Sequence, residues 1–374
     1  MTGAADTADG RSPMSPTPRR RRCSRTVPGC RRTPTDADGR RRVPRKAAEA
    51  VGWEERRGDG DGYGRSTVTP PTDVRARAVL DKAAHENFPV APRFLPRAWR
   101  NDLLAVYGCV RLLDDIGDGD LAPGGADAAA LGVEPDLADD RPALLDAFEA
   151  ELRRVFHAAA DPGAGHRDGP GHPLLSALVP TVRRHALTPE PFLALIEANR
   201  RDQKVRRYGT WEELLGYCEL SANPIGRLVL AVTGTTTPER VRRSDAVCTA
   251  LQIVEHLQDV AEDLTQRDRI YLPAEDLERF RVTEADLAAP TANASVRALV
   301  AWEARRAHDL LNEGDPLVAS VPGVLKVLLA GFVGGGRAAL RAIRSARYDV
   351  LSATPRPTRV GVLRDAVAAL GRAR

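Results

Sequence analysis

Nothing in this 374-residue chain builds a zinc or disulfide framework. The 5 cysteines (Cys23, Cys30, Cys109, Cys218 and Cys248) form no Cys-x-x-Cys pair and show no metal spacing. An odd, scattered set with no secretory leader reads as reduced thiols in a cytosol, and Cys109 and Cys218 sit in apolar surroundings that suit small core residues. The longest apolar run, Val324 to Val333, is broken by Lys326 and meets Gly334-Gly335-Gly336, short of the roughly 18–20 residues a membrane span needs. Alternating Val/Ile/Thr patterns are nearly absent, which argues against sheets. A basic balance is missing from most of the chain as well. The net charge of +4 is local: residues 1–65 hold 16 basic and 9 acidic side chains, and the remainder is acidic by 3. Nucleic-acid binding, which calls for a basic patch on the folded part, is therefore not expected.

What is present is helical period. Residues 1–71 read as a disordered basic tail, dense in Arg, Pro and Gly, with the fold beginning near Thr72. Apolar residues then recur with helical spacing over Val74–Ala84, Trp99–Leu113, Arg141–Phe156, Pro173–His185, Pro189–Asn199 and Trp211–Val232. The pattern continues through Arg243–Leu264, Ala294–Leu311 and Val321–Arg347. Gly119–Asp140 and Asp161–Gly171 read as loops. The expectation is an all-α single domain over residues 72–350, followed by a C-terminal extension over 351–374.

Two of these helices carry acids in helical register. The first sets Leu103, Tyr107, Val110 and Asp114 on one stripe that reads as core-facing, with Asp118 a turn further on and Asp115 beside them. Carboxylates on such a stripe are costly unless a cation meets them. The second sets Ile253, Leu257, Val260 and Leu264 on one stripe and Gln252, Glu255, Asp259 and Asp263 on another, with Glu262 alongside. Stacked like charges destabilise an isolated helix, so this stripe also asks for a bound cation. An acidic helix end is ordinarily a solvated face, and Asp118-Gly119-Asp120 alone would read that way. An EF-hand fails: counted from Asp114, Ile116 stands at the third ligand position and Gly125 at the twelfth. A di-iron site wants Glu-x-x-His, and Glu255-His256 has the wrong spacing. Mg²⁺ held by a few carboxylates and bridged by a diphosphate fits both stripes, since it neutralises the charge that develops as a C–O bond breaks.

The stretch Tyr107-Gly108-Cys109-Val110-Arg111-Leu112-Leu113-Asp114-Asp115-Ile116-Gly117-Asp118 resembles the first aspartate motif of the head-to-head trans-prenyltransferases, the squalene and phytoene synthases. Gln258-Asp259-Val260-Ala261-Glu262-Asp263, followed by Arg269-Ile270-Tyr271-Leu272-Pro273, resembles the second. Glu86-Asn87-Phe88-Pro89-Val90-Ala91, Asp202-Gln203, Arg207-Tyr208-Gly209-Thr210-Trp211, Tyr217-Cys218 and Ser221-Ala222-Asn223-Pro224-Ile225-Gly226-Arg227 place the resemblance nearest the bacterial hopanoid-type hydroxysqualene synthases.

That resemblance implies an isoprenoid-synthase-type helical bundle around a central cavity. It implies Mg²⁺ on Asp114, Asp118, Asp259 and Asp263 with Asp115 in support, diphosphate contacts from Arg111 and Arg269, and a cavity lined by Tyr217, Gln252 and Tyr271. Glu255 departs from the pattern, since the family usually has Asn there; a carboxylate could still ligate the metal. His85 and Asn87 fall where N-terminal diphosphate contacts lie, with a helix cap the competing reading. The implied reaction is ionisation of presqualene diphosphate with water capture to give hydroxysqualene. The alternatives are a synthase condensing two prenyl diphosphates into presqualene diphosphate, squalene or phytoene, and a non-catalytic homologue used in binding or assembly. No strand precedes Gly334–Gly336, so no Rossmann loop is present, although the family's reductive members bind NADPH without one. The expected setting is cytoplasmic, with room for peripheral contact at the inner membrane face and hand-over to other squalene-pathway enzymes.

Overall fold

The computed structural model describes residues 91–161 and 169–373. The tail, the boundary near Thr72, the helix over Val74–Ala84, and His85 and Asn87 lie outside them. Among the described residues the chain is helical, without strands; one isolated parallel bridge joins Arg207 and Ile270.

Helix α1 (Arg97–Asp118) ends where Gly119 adopts φ 77°, a conformation that only glycine enters cheaply. The Asp120 N–H closes this turn on Asp115 O at 2.8 Å. Its core face is Leu103, Val106, Cys109, Leu112, Leu113 and Ile116. Tyr107, Val110, Arg111, Asp114 and Asp118 are half-buried. The acids therefore sit on the stripe beside the core, not on it.

α2 (Ala126–Ala130) lies within the Gly119–Asp140 loop. α3 (Arg141–Ala160) starts at Asp140, whose carboxylate accepts from the Ala143 N–H. α4 (Pro173–His185) packs against α1 and α3. Asp102 of α1 is buried where it accepts from Thr181 Oγ1 at 2.9 Å and meets Arg184 and His185 of α4. α5 (Glu190–Asp202) lies across α1 and α3.

The stretch read as one helix from Trp211 to Val232 is two, α6 (Trp211–Ser221) and α7 (Asn223–Val232), because Pro224 has no N–H to continue the first. The stretch around the second acidic stripe is also two, α8 (Pro238–Gln258) and α9 (Val260–Arg267).

Short helices α10 (Ala274–Phe280) and α11 (Glu284–Leu287) lead to α12 (Ala294–Gly314), which packs along α8. α13 (Pro316–Ser320) precedes α14 (Gly323–Ser345). The glycine triplet does not end α14, which becomes a 23-residue helix apolar enough to cross a membrane. It is instead packed against α8, α12 and a last helix, α15 (Arg359–Arg372), with 61% of its apolar window buried. Residues 351–374, read from sequence as an extension, thus supply a helix laid directly on α14. A Cβ on Gly334 would stand 2.4 Å from Ala366 N, so the two backbones touch.

Candidate active site

The two acidic segments meet. α9 closes at Asp268 (φ 52°), a left-handed turn that Asp tolerates, and the Arg269 N–H then bonds Asp263 O at 3.0 Å. This reversal aims Arg267 and Arg269 back over the acids. Arg267 Nε lies 3.5 Å from Asp118 Oδ1 of α1, and its Nη1 lies 3.5 Å from Asp263 Oδ1. Arg269 Nη1 is 3.6 Å from the same Asp118 oxygen. Two guanidinium groups thus join the first motif to the second.

Asp114 is half-buried and hydrogen-bonded to Asn199 of α5. Burial, reinforced by Asp118 and Asp115, raises its carboxyl to about 7 against the pull of Asn199 and Arg111. Asn199 can come this close because residue 117 is glycine; a Cβ there would stand 1.8 Å from Asn199 Oδ1. Gln203 completes the seam, its amide donating to Gly117 O at 2.9 Å. Asp115 faces inward, 3% exposed, with Arg111 Nη2 at 2.7 Å from its Oδ1.

On the other side, Asp259 occupies the break between α8 and α9 (φ −108°, ψ 13°). Burial and Glu262 raise its carboxyl, while Arg356 and Arg267 oppose. Asp263 is 9% exposed and rises to about 7, from burial first and Asp259 second, against Arg267 and Arg269. Glu255 is exposed.

Between the motifs lies an aromatic cluster. Segment 206–209 pairs with 269–275: Ile270 N–H bonds Arg206 O at 2.9 Å and Ala274 N–H bonds Tyr208 O at 2.8 Å. This sets Tyr271 over Tyr208, ring centroids 5.8 Å apart, with Tyr217 packed against both. Sequence reasoning passed over the residue at its hub, Asp202, except as part of a recognised dipeptide. Tyr217 donates to Asp202 Oδ2 at 2.8 Å and Tyr271 to Oδ1 at 3.3 Å. Arg269 Nη2 donates to Asp202 O at 3.0 Å, with Nη1 3.6 Å from Oδ2. Burial still raises the Asp202 carboxyl, so these partners do not fully replace water. His256 also went unassigned. Its ring stacks on Tyr271 (3.8 Å, 7°), its Nε2 lies 2.9 Å from Gln252 Nε2, and burial lowers its pKa to about 3.

The structure therefore links Asp118, Asp263, Arg269, Tyr217 and Tyr271 through Arg267 and Asp202, with Asp114 beside Asp118 on α1. Gln252 is joined to them through His256, and Arg111 is engaged with Asp115. No three acid, histidine or cysteine side chains form a ready-made cation site among the described residues. The donor set nevertheless suits a hard divalent ion. Asp114 and Asp263 resist ionisation because they are buried and, after that, because carboxylates stand beside them; a cation sharing its shell with diphosphate oxygens would favour their charged forms.

Known proteins are similar in sequence and in fold. The sequence profile of squalene/phytoene synthase matches residues 81–363. A hydroxysqualene synthase of Rhodopseudomonas palustris is 32% identical over 236 residues, 63% of this chain and 71% of that one. A 15-cis-phytoene synthase of Synechococcus elongatus is 30% identical over 270 residues, 66% of this chain and 79% of that one. The crystal structure of squalene synthase HpnC from Alicyclobacillus acidocaldarius superposes with a TM-score of 0.60 at 40% identity, over 74% of this chain and 97% of that one. With the isoprenoid-synthase helical fold and both aspartate segments in place, this chain is a prenyltransferase-type enzyme and belongs to the squalene/phytoene synthase family.

Proposed function

We propose that the chain ionises presqualene diphosphate in the presence of Mg²⁺ and captures the resulting cation with water, giving hydroxysqualene. The observation that carries this reading is the meeting of the two acidic segments through Arg267 and Arg269. Asp114 and Asp118 on one side and Asp259 and Asp263 on the other would hold Mg²⁺, which when bound supplies positive charge to the departing diphosphate. Arg269 and Arg267 are placed to fork onto diphosphate oxygens, a geometry that guanidinium matches and ammonium does not. Arg111, held by Asp115, keeps a place at the rim for a further contact. Tyr208, Tyr217 and Tyr271 offer ring faces to a carbocation, and their packing keeps bulk water from it. The hydroxysqualene synthase relative and the similarity to HpnC favour this reading. Val360, Leu363 and Val367 expose one apolar stripe of α15, which supports peripheral contact of this cytoplasmic enzyme with a membrane that would receive its product.

The phytoene synthase relative favours a condensing synthase instead. Purified protein with Mg²⁺ is given presqualene diphosphate, and separately farnesyl or geranylgeranyl diphosphate, with and without NADPH. The expected result is hydroxysqualene from presqualene diphosphate without NADPH. Consumption of farnesyl or geranylgeranyl diphosphate alone would make it a condensing enzyme. No turnover of any of these would leave only a binding or assembly role.

A further inference from the structure

His256 has no part in the roles assigned above, yet it sits where the reaction needs a polar group. It is 8% exposed, near the end of α8 and before the break that leads to Asp263 on α9, and its ring lies flat on that of Tyr271. The Gln252 side-chain amide donates to Nε2, so the ring proton resides on Nδ1. That Nδ1 is buried and has no hydrogen-bond partner. Buried donors are rarely left so, and each orphan costs free energy. The ring also lines a void of about 10 Å³ that it shares with Asp263, Arg269 and Tyr271, together with Val260, Ile270 and Leu272. This is about the smallest space that accepts one water, and Asp263 and Arg269 in its otherwise largely apolar wall would give that water further partners.

We infer that His256 holds the water molecule that captures the carbocation, its Nδ1–H donating to the water oxygen beside the diphosphate-binding acids and arginines. The inference rests on the water-capture reading above. Ionisation breaks the C–O bond, and the electron pair leaves with diphosphate. A lone pair of the held water forms the new C–O bond to the cationic carbon. The oxonium then loses one proton to the departing diphosphate, an anion already in the site, and no oxidant or reductant is needed. A donor to the water oxygen leaves its second lone pair free to attack and fixes its approach. Stacking on Tyr271 and the bond from Gln252 fix the ring.

The test reads product partition, which does not depend on rate. Wild type, His256→Phe and His256→Gln are incubated with presqualene diphosphate and Mg²⁺, and the fraction of C30 product carrying a hydroxyl is measured. Phe keeps the aromatic stack and removes the donor, whereas Gln keeps a donor. The alcohol fraction relative to elimination products is expected to fall about tenfold in Phe, the worth of one hydrogen bond in the capture step, and to recover in Gln. His256→Leu, which also lacks the donor, gives the same reading if the Phe ring is not accommodated. An unchanged alcohol fraction in the donor-less variants overturns the inference. So does an equal loss in Gln, which would mark a packing effect. A wild-type enzyme that makes no alcohol from presqualene diphosphate refutes the parent reading and this one together; wild-type alcohol with no change in Phe or Leu refutes this one alone.

Discussion

Asp202 is the residue whose removal should reveal how the tyrosine cluster is held. It accepts from two tyrosine hydroxyls and faces Arg269, yet its carboxyl is raised because burial outweighs those partners. Taking away the charge is therefore not in itself costly. Taking away the acceptor is. In Asp202→Ala the Tyr217 and Tyr271 hydroxyls are orphaned in a buried place, at about 1–3 kcal/mol each. Part of that is offset by release of the strained carboxylate, and Arg269 keeps Asp118 as a counter-ion. The net expectation is about 3 kcal/mol. Asp202→Asn preserves shape and one acceptor oxygen, at about 1 kcal/mol. For a fold of this size each kcal/mol lowers Tm by about 2–4 °C, so the alanine variant should melt about 6–12 °C below wild type and the asparagine variant about 2–4 °C below. Differential scanning calorimetry at pH 7 reads both. A Tyr217→Phe background should shrink the alanine penalty, because one orphan is then gone. Alanine and asparagine variants that melt together, or an alanine penalty unchanged by Tyr217→Phe, would refute the idea that hydroxyl satisfaction is what Asp202 provides.

Gly334→Ala should destabilise by about 1–3 kcal/mol, since its Cβ meets the backbone of Ala366, which cannot swing aside; chemical denaturation at unchanged m-value would show it, and a neutral result would mean α15 is not seated there. The Asp114 and Asp263 carboxyls sit at about 7 in the fold, against about 4 in an unfolded chain. The folded state thus binds the extra protons, and stability falls as pH rises from about 4 through 7. Mg²⁺ with inorganic diphosphate should favour the ionised forms of these buried acids, so the Tm gain it gives should be larger at pH 8 than at pH 6; equal gains would remove these two acids from the metal site. Glu255→Gln should raise the Mg²⁺ concentration for half-maximal rate by about tenfold if the carboxylate ligates. Glu255→Asn should then be tolerated better than Glu255→Ala, and identical magnesium curves for all three would remove this exposed residue from the ligand set.

The helices and the acidic pair were legible because both are local. Periodicity marks α1, α3, α4, α5 and α12, and two carboxylates a turn apart stand out on an otherwise apolar helix. The stripe assignment on α1 missed by one position, since Asp114 and Asp118 flank the buried face. Asp202 left no such trace: it closes an ordinary amphipathic helix, and its partners come from two later segments, Tyr217 from α6 and Arg269 and Tyr271 from 269–275. His256 was visible only as the wrong half of a di-iron pattern. The breaks at Asp259 and at Ala222–Pro224 were lost because apolar spacing runs on through a kink. The helix over Arg359–Arg372 was hidden by its composition, since it buries little and seats itself on a glycine seam.

Arg267 and Arg269 carry one more consequence, for the order of arrival at the site. They already occupy the gap between Asp118 and Asp263, so a lone divalent cation finds those carboxylates engaged and gains little by entering. A magnesium–diphosphate complex offers the guanidinium groups something else to grip. Were they to turn to the phosphoryl oxygens, Asp118 and Asp263 would be freed to hold the metal. Substrate and cation should therefore load as one unit, with the arginines changing partners as they do.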